Sequence, residues 1–518
     1  MIRSILTVSM GTLASRLLGF ARDAMLAALL GAGPVADAFL VAFQLVNVVR
    51  RLLTEGALNA ALIPAWLRIR SVEGAAAAAA FAGRVLGTLS AALVIATLIL
   101  GVAMPPLIAL LAPGFVGTAT LQLAVDDARL MLPYLAFAGP VAVMMGLRNA
   151  QHRFALTAFS PALFNLALIL VTAVLLLRRN DAASAATLMA ATVGVAGLLQ
   201  LGMFALRSGD GAATPLRLTY DAQMRGFLRK AMPGMVANSG PQLLIVAGAI
   251  IASNAPSAVS WLYFANRLIE LPLGIVGTAM GTVLVPELTR AVRSGDPAAI
   301  HAAESRGLEL AVGLALPATL GLMVLSAPIV RLLFEHGAFT AVDSLATAQA
   351  LTLLALGLPA HVLVKALAPA FFARDDTMTP LIATLAGLTV AVFAAWLLRA
   401  SGVAGIAASI ALGAWSCAGI LVMRGRATFS FSIDPAARQR LPRIVLAALT
   451  MGGVLWLAAH QVWPLAVAAH GLAQAALLGL LIAGGVAVYA LLLTLLGVAT
   501  PAGALRAFRQ SRVSDLRG

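Results

Sequence analysis

Residues 14–64 read ASRLLGFARDAMLAALLGAGPVADAFLVAFQLVNVVRRLLTEGALNAALIP. Two largely apolar runs, parted only by Gly31-Ala32-Gly33-Pro34, are each long enough as a helix to cross the roughly 30 Å hydrocarbon core of a bilayer. Yet they carry Arg16, Arg22, Asp23, Asp37, Arg50, Arg51 and Glu55. An ionisable side chain at the bilayer centre costs about 3 kcal/mol or more unless it faces partners or water. Helices of membrane length with charges along them therefore predict a polytopic protein whose spans enclose a polar interior.

The rest of the chain agrees. Of 518 residues, 61% are hydrophobic and 11% charged, and the mean hydropathy is +0.98. A soluble domain carries about 25% charged residues, so a soluble protein of this length is excluded. Stretches of membrane length recur near 5–30, 35–65, 82–111, 124–148, 156–177, 184–206, 228–251, 256–288, 306–333, 344–372, 379–398, 403–423, 443–463 and 471–497. The predicted fold is an all-α polytopic membrane protein with fourteen transmembrane helices. The first run continues past Arg16 and Arg22 without a small-residue cleavage site, so it reads as a retained span rather than a signal peptide.

An even number of spans places both termini on one side. Arginine and lysine cluster at the N-terminus, in every second loop and in the C-terminal tail, as with Arg68, Arg70 and Arg84, or Arg438, Arg440 and Arg443. The opposite loops and adjoining helix ends hold Arg129, Arg178, Arg179, Arg331 and Arg399. The positive-inside rule puts both termini in the cytoplasm. It also accounts for the net charge of +15 without invoking nucleic acid, because the basic residues sit in short loops rather than on one module. The basic, partly amphipathic segment 207–230 reads either as lying on the anionic inner leaflet or as a solvated linker.

Proline spacing shows an internal repeat. Pro34 and Pro64 recur as Pro256 and Pro286 at an offset of 222, and Pro140 and Pro161 recur as Pro359 and Pro380 at an offset of 219. Two six-helix lobes of like orientation, 1–215 and 216–430, are expected around a central cavity, with two extra helices and a basic tail at 431–518. Parallel lobes about a midplane site suit a secondary transporter that rocks one lobe against the other.

Asp37, Gln44, Asn47, Arg50, Arg51, Thr54 and Glu55 fall within an arc of about 140° on the second span, over about 27 Å of helix rise. Such a stripe lines a cavity or the other lobe. The first span adds Arg16, Arg22 and Asp23, and the eighth adds Asn266, Arg267 and Glu270. With Lys365 added, these residues comprise six positive groups (Arg16, Arg22, Arg50, Arg51, Arg267 and Lys365) and four negative ones (Asp23, Asp37, Glu55 and Glu270), which implies an anionic ligand. Arginine binds phosphate oxygens bidentately and keeps its charge in a dry site, so a diphosphate fits the set. A competing reading takes Arg22–Asp23 and Arg51–Glu55 as internal pairs that lock helices together. The glycines Gly274, Gly277 and Gly281 have the spacing of close helix packing.

The only cysteine, Cys417, excludes a disulfide framework within the chain, and the six histidines form no HExxH pair, so no metal or other cofactor is expected. No phosphate-binding loop of the G-x-x-x-x-G-K-[ST] type occurs, which excludes ATP hydrolysis by this chain and makes a transporter the expected class rather than an enzyme.

The string S-R-x-L-G-F-x-R-D, then G-A-G, D-A-F, N-x-x-R-R and E-G-A, resembles the N-terminal signature of the MurJ (MviN) lipid II flippases of the MOP exporter superfamily. WLYFANRLIELPLGIVGTAMGTVLVPEL at 261–288, LFEHGAFTAVDS at 333–344 and LAPAFFARDDTMTP at 367–380 are similar to that family too. The resemblance runs from about residue 3 to 497. It implies translocation of an undecaprenyl-diphosphate-linked peptidoglycan precursor, lipid II, from the inner to the outer leaflet of the bacterial cytoplasmic membrane, with membrane lipids and other cell-wall synthesis proteins as companions. The family's cavity residues fall on Arg16, Arg22, Asp23, Asp37, Arg50, Arg51, Glu55 and Arg267, with Asn47 beside them in the substrate-binding set. Asp37, Asn266 and Glu270 are assigned to gating or coupling. Asn266 stands where the family carries Asp, so this position lacks that negative charge. Sodium-coupled relatives place carboxylates near the seventh and eleventh spans, whereas 231–251 and 379–398 hold none.

The resemblance also sets the rivals. A flippase for another polyprenyl-diphosphate glycan needs the same chemistry, and gene essentiality would separate it. A cation-coupled drug exporter calls for an acidic cavity, and this one is basic. A non-transporting scaffold leaves the polar stripe unexplained.

Overall fold

The computed structural model describes residues 2–54, 57–178, 180–206, 217–218, 221, 224–227, 229, 240–280, 284, 287, 290–291, 294, 296–372, 374, 376–429, 434–468 and 471–498. Among them the regular structure is helical. The helices are α1 (Ile2–Leu30), α2 (Pro34–Thr54), α3 (Ala57–Val72), α4 (Ala75–Val102), α5 (Met104–Leu111), α6 (Ala119–Met131), α7 (Pro133–Ala150), α8 (Phe154–Arg178) and α9 (Ala182–Ala205). They continue as α10 (Gly240–Ala252), α11 (Ala258–Ala279), α12 (Pro297–Val324), α13 (Ser326–Phe334), α14 (Ala341–Phe372), α15 (Met378–Leu397), α16 (Gly402–Phe429), α17 (Pro435–Ala468) and α18 (Leu472–Leu495).

Ten stretches among the described residues are long and apolar enough to cross a membrane. The chain is a multi-span membrane protein of all-α class. Adding α1, α2, α10 and α11, which carry the polar stripe or are only partly described, makes the set compatible with fourteen spans. Local chemistry explains the breaks. The third predicted span divides into α4 and α5 just before Pro105-Pro106, and the fourth into α6 and α7 at Pro133, where a missing N–H and a fixed φ end one helix and start the next. Helix starts are capped by carboxylates. Asp181 accepts from Ser184 N–H at 3.0 Å, Asp296 from Ala298 N–H at 2.9 Å and Asp376 from Thr379 N–H at 2.9 Å. The Ser184 backbone bond holds the Asp181 carboxyl below the usual carboxylate range, and the Thr379 hydrogen bonds do the same for Asp376.

The chain divides into two compact units. The first comprises residues 1–260 with 336–340. In it α1 lies along α8, α6 and α7 pack on α9, α8 packs on α9, and α4 packs on α7. One of its cores gathers Leu62, Trp66, Phe81, Val85 and Leu147 around Met224 and Phe227. Phe81 and Phe227 meet edge to face at 5.8 Å. Residues 224–227, inside the segment read as a leaflet-bound helix or solvated linker, are instead packed on α3, α4 and α7, because their apolar side chains find a buried seat there. Most of 207–230 lies outside the described residues. Residues 336–340 pack on the end of α1. Gly31 and Gly337 both have positive φ, +67° and +60°, and Ala338 N–H donates to Ala28 O at 2.8 Å. A Cβ on Gly31 would sit 2.5 Å from Ala338 O, so glycine is required for this approach.

The second unit holds residues 261–335 and 341–518. In it α14 packs on α16, α15 on α16 and α12 on α14. Numbered as spans, these are pairs ten–twelve, eleven–twelve and nine–ten. The first unit contains the corresponding pairs four–six, five–six and three–four. The partners Pro140 and Pro359 both lie inside helices, as do Pro161 and Pro380. The extra helices α17 and α18 pack on each other and against α12. Tyr489 O–H donates to Gly313 O at 2.8 Å, an interhelical bond of the sort that ties membrane helices together.

Candidate functional site

The predicted charges fall into separate settings, and each unit carries its own. On α1 of the first unit, Arg22 and Asp23 are 8% and 0% exposed. Arg22 donates to Asp23 Oδ1 from Nε at 3.0 Å and from Nη2 at 2.6 Å, and from Nη1 to Asn165 Oδ1 at 3.0 Å. Its guanidinium lies 4.9 Å from the Phe43 ring centroid. Asn165, on α8, donates in turn to Ser15 O at 3.0 Å. A dry arginine thus meets a carboxylate, an amide and a ring face, which together replace its water. The geometry is that of an ion pair binding α1 to α8 and α2, the arrangement that the competing internal-pair reading anticipated.

Arg16, on the same helix, is exposed. Further along α2, Arg50 Nε donates to Asn47 Oδ1 at 3.2 Å, with both residues half-buried and one turn apart. Arg51 belongs to α2, but its side chain and the whole of Glu55 lie outside the described residues.

Asp37, in the first turn of α2, is 2% exposed and accepts at both oxygens. Ser257 N–H donates to Oδ2 at 2.8 Å, and Ser260 N–H donates to Oδ1 at 2.9 Å together with the Ser260 hydroxyl. A carboxylate on α2 thereby serves residues 257–260 as a helix cap, satisfying donors that the first turn of α11 leaves open. The sequence assigned Asp37 to gating or coupling; its observed partners are backbone amides and one hydroxyl.

In the second unit Arg267 Nη1 donates to Glu270 Oε2 at 2.8 Å, one turn apart on α11, and both are about a quarter exposed. Asn266 beside them is half-buried. Lys365 is exposed on α14, and a Cβ on Gly277 would lie 3.2 Å from its Nζ. The Gly277 gap, read from sequence as a packing feature, therefore accommodates a cation.

Sequence reasoning missed three polar groups. Asn165 holds Arg22, and the signal was a lone amide in an apolar span. Tyr134 O–H donates to Gln200 Oε1 at 3.2 Å while Gln200 Nε2 donates to Ser160 O at 2.8 Å, a buried network joining α7, α8 and α9. Trp261 Nε1 donates to Asp343 Oδ1 at 3.0 Å in the second unit. Among the described residues no group of His, Cys, Asp and Glu is arranged to hold a metal.

The family model for the lipid II flippase MurJ matches residues 26–473. The chain belongs to the lipid II flippase MurJ family. A probable lipid II flippase MurJ from Rhizobium meliloti (strain 1021) is 37% identical over 501 residues, covering 94% of this chain and 92% of that one. The lipid II flippase MurJ of Burkholderia cenocepacia is 31% identical over 471 residues, covering 89% of this chain and 91% of that one. A solved structure of a lipid II flippase MurJ in an inward closed conformation superposes with a TM-score of 0.75 at 20% identity, covering 95% of this chain and 98% of that one. An inward-facing multidrug resistance MATE family transporter of the MOP superfamily gives a TM-score of 0.66 at 15% identity and covers 82% of this chain, which shows a shared fold. The MurJ family match extends through α17 to the start of α18, and the MATE match covers less of the chain.

Proposed function

We propose that this protein is a lipid II flippase that moves the polyprenyl-diphosphate-linked peptidoglycan precursor from the inner to the outer leaflet of the cytoplasmic membrane by alternating access. Family membership across residues 26–473 is the observation that carries this reading. The charge pattern supports it: the membrane helices hold more arginine and lysine than acid, as a diphosphate requires.

In this reading the residues divide by task. Exposed Arg16 and Lys365, half-buried Arg50 and Arg267, and Arg51 meet the anionic head group. Arg22, held by Asp23 and Asn165, sets the position of α1. Asp37 holds residues 257–260 in place for gating. Asn47, Asn266, Glu55 and Glu270 tune the charge around these cations. The termini lie in the cytoplasm, and lobes 1–215 and 216–430 form the transport core, with 431–518 accommodating the lipid tail. Outward movement of negative charge down a cytoplasm-negative potential is favourable by about 2.3 kcal/mol per charge per 100 mV, so the potential biases the cycle.

Native mass spectrometry of the purified protein tests the head-group claim. It should retain a polyprenyl diphosphate over the monophosphate of the same chain length, and Arg16→Ala should erase the difference. Equal retention of both lipids by the wild type would contradict the claim.

A further inference from the structure

The lipid-facing side of α15 in the second unit ends in a cation that the transport reading does not use. On one side α15 presents the buried small residues Ala383, Gly387, Ala391 and Ala394, and a Cβ on Gly387 would lie 2.6 Å from Gly413 O of α16, so that side is closed by helix packing. The other side carries Ile382, Leu385, Phe393, Trp396 and Leu397, all exposed, which on a membrane span means exposed to lipid. Phe393 and Trp396, one turn apart, stack with ring centroids 6.2 Å apart. The Arg399 guanidinium, one turn further on, lies 5.5 Å from the Trp396 ring centroid. Two rings and a cation thus form a ladder that leads out of the apolar zone.

The depth of the ladder follows from length. The 20 residues Met378–Leu397 rise about 30 Å as a helix, the thickness of the hydrocarbon core. The 3-10 turn Arg399–Ser401 that follows is therefore at the core's edge, where lipid phosphates lie, and at the end of α16 opposite Arg424 and Arg426. An arginine on this side runs against the charge asymmetry of the loops. Charge pairing does not account for it. No other charged residue occurs on α15 or in the turn. The acids at this end of the unit are engaged, Glu335 with Arg331 at 3.8 Å and Asp343 with Trp261 Nε1 at 3.0 Å. The Trp396 ring covers one face of the Arg399 guanidinium, which leaves the N–H groups at its edge for an acceptor.

We propose that the Phe393–Trp396–Arg399 ladder binds an anionic phospholipid of the outer leaflet, with the phosphate on Arg399 and an acyl chain along the two rings. A head group without an amine is favoured, because its phosphate charge is not offset within the same molecule. The site uses none of the residues assigned to the transported lipid, so it stands or falls separately from the flippase reading; the choice of leaflet follows the proposed orientation.

The test uses the purified full-length protein in lipid nanodiscs doped with phosphatidylglycerol that carries a photoreactive diazirine near its head group. After illumination, peptide mapping should find adducts on residues 393–403, reduced about fivefold in Arg399→Gln, the effect of losing one exposed charge pair. Phosphatidylcholine with the same diazirine should label these residues less. Equal labelling by the two lipids, or unchanged labelling in Arg399→Gln, overturns the proposal. Loss of the label on adding excess polyprenyl diphosphate overturns it too, since the face would then belong to the transported lipid. If Arg399→Gln does not assemble, Trp396→Leu decides: it keeps the face apolar but removes the ring under the guanidinium, and labelling that stays at the wild-type level overturns the proposal equally.

Discussion

At the scale of single residues, burial separates the arginines that the sequence could only group together. Arg22 is packed between Asp23, Asn165 and Phe43, so Arg22→Ala leaves the fully buried Asp23 without the cation it now holds. The expected cost is about 3–5 kcal/mol, read as a large drop in the unfolding temperature of the purified protein. Arg22→Lys keeps the charge but loses the fork that reaches Asp23 and Asn165 together, so an intermediate loss is expected. Arg16 is exposed, and Arg16→Ala should change stability by no more than about 0.5 kcal/mol while lowering lipid transport. A variant as active as the wild type would remove Arg16 from the substrate path. The sequence put both arginines in one cavity because residue type and helical phase say which groups need a partner but not which partner is supplied. Asn165 lies 143 residues from Arg22, and no spacing rule joins them.

At the scale of elements, close backbone approach and end-capping are the sensitive features. Gly31→Ala or Gly337→Ala would force a side chain into a left-handed conformation against the facing carbonyl, so each should cost at least about 1 kcal/mol, measurable by thermal unfolding. Wild-type stability in both would show that the 336–340 turn yields easily. The caps at Asp181 and Asp376 titrate below the ordinary carboxylate range, so they are present through neutral pH and are lost only as the pH falls through those depressed values. Hydrogen exchange in the first turns of α9 and α15 should therefore accelerate, beyond its intrinsic pH dependence, only in acid. Helix positions were legible from the apolar runs and from proline, which is why the ends of α15 and α18 lie close to the ends of those runs. Residues 224–227 were not, because a short amphipathic piece reads the same whether lipid or Phe81 covers it.

For the whole molecule, the arginine asymmetry between alternate loops predicts the orientation, and one buried cysteine makes it simple to map. In intact cells a membrane-impermeant thiol reagent should label Asn180→Cys and leave Ser71→Cys unlabelled; the reverse pattern would invert the topology. Composition and periodicity made the membrane class legible, and the motif strings made the family legible. The direction of transport rests on a reading that a cellular measurement can reach. The protein would be depleted from its native cell in a strain with no second flippase, and an external enzyme that cleaves only outward-facing precursor would report which leaflet holds the lipid-linked peptidoglycan unit. The account predicts accumulation of protected precursor, restored by the wild-type chain and not by Arg16→Ala. Unchanged accessibility on depletion would contradict it.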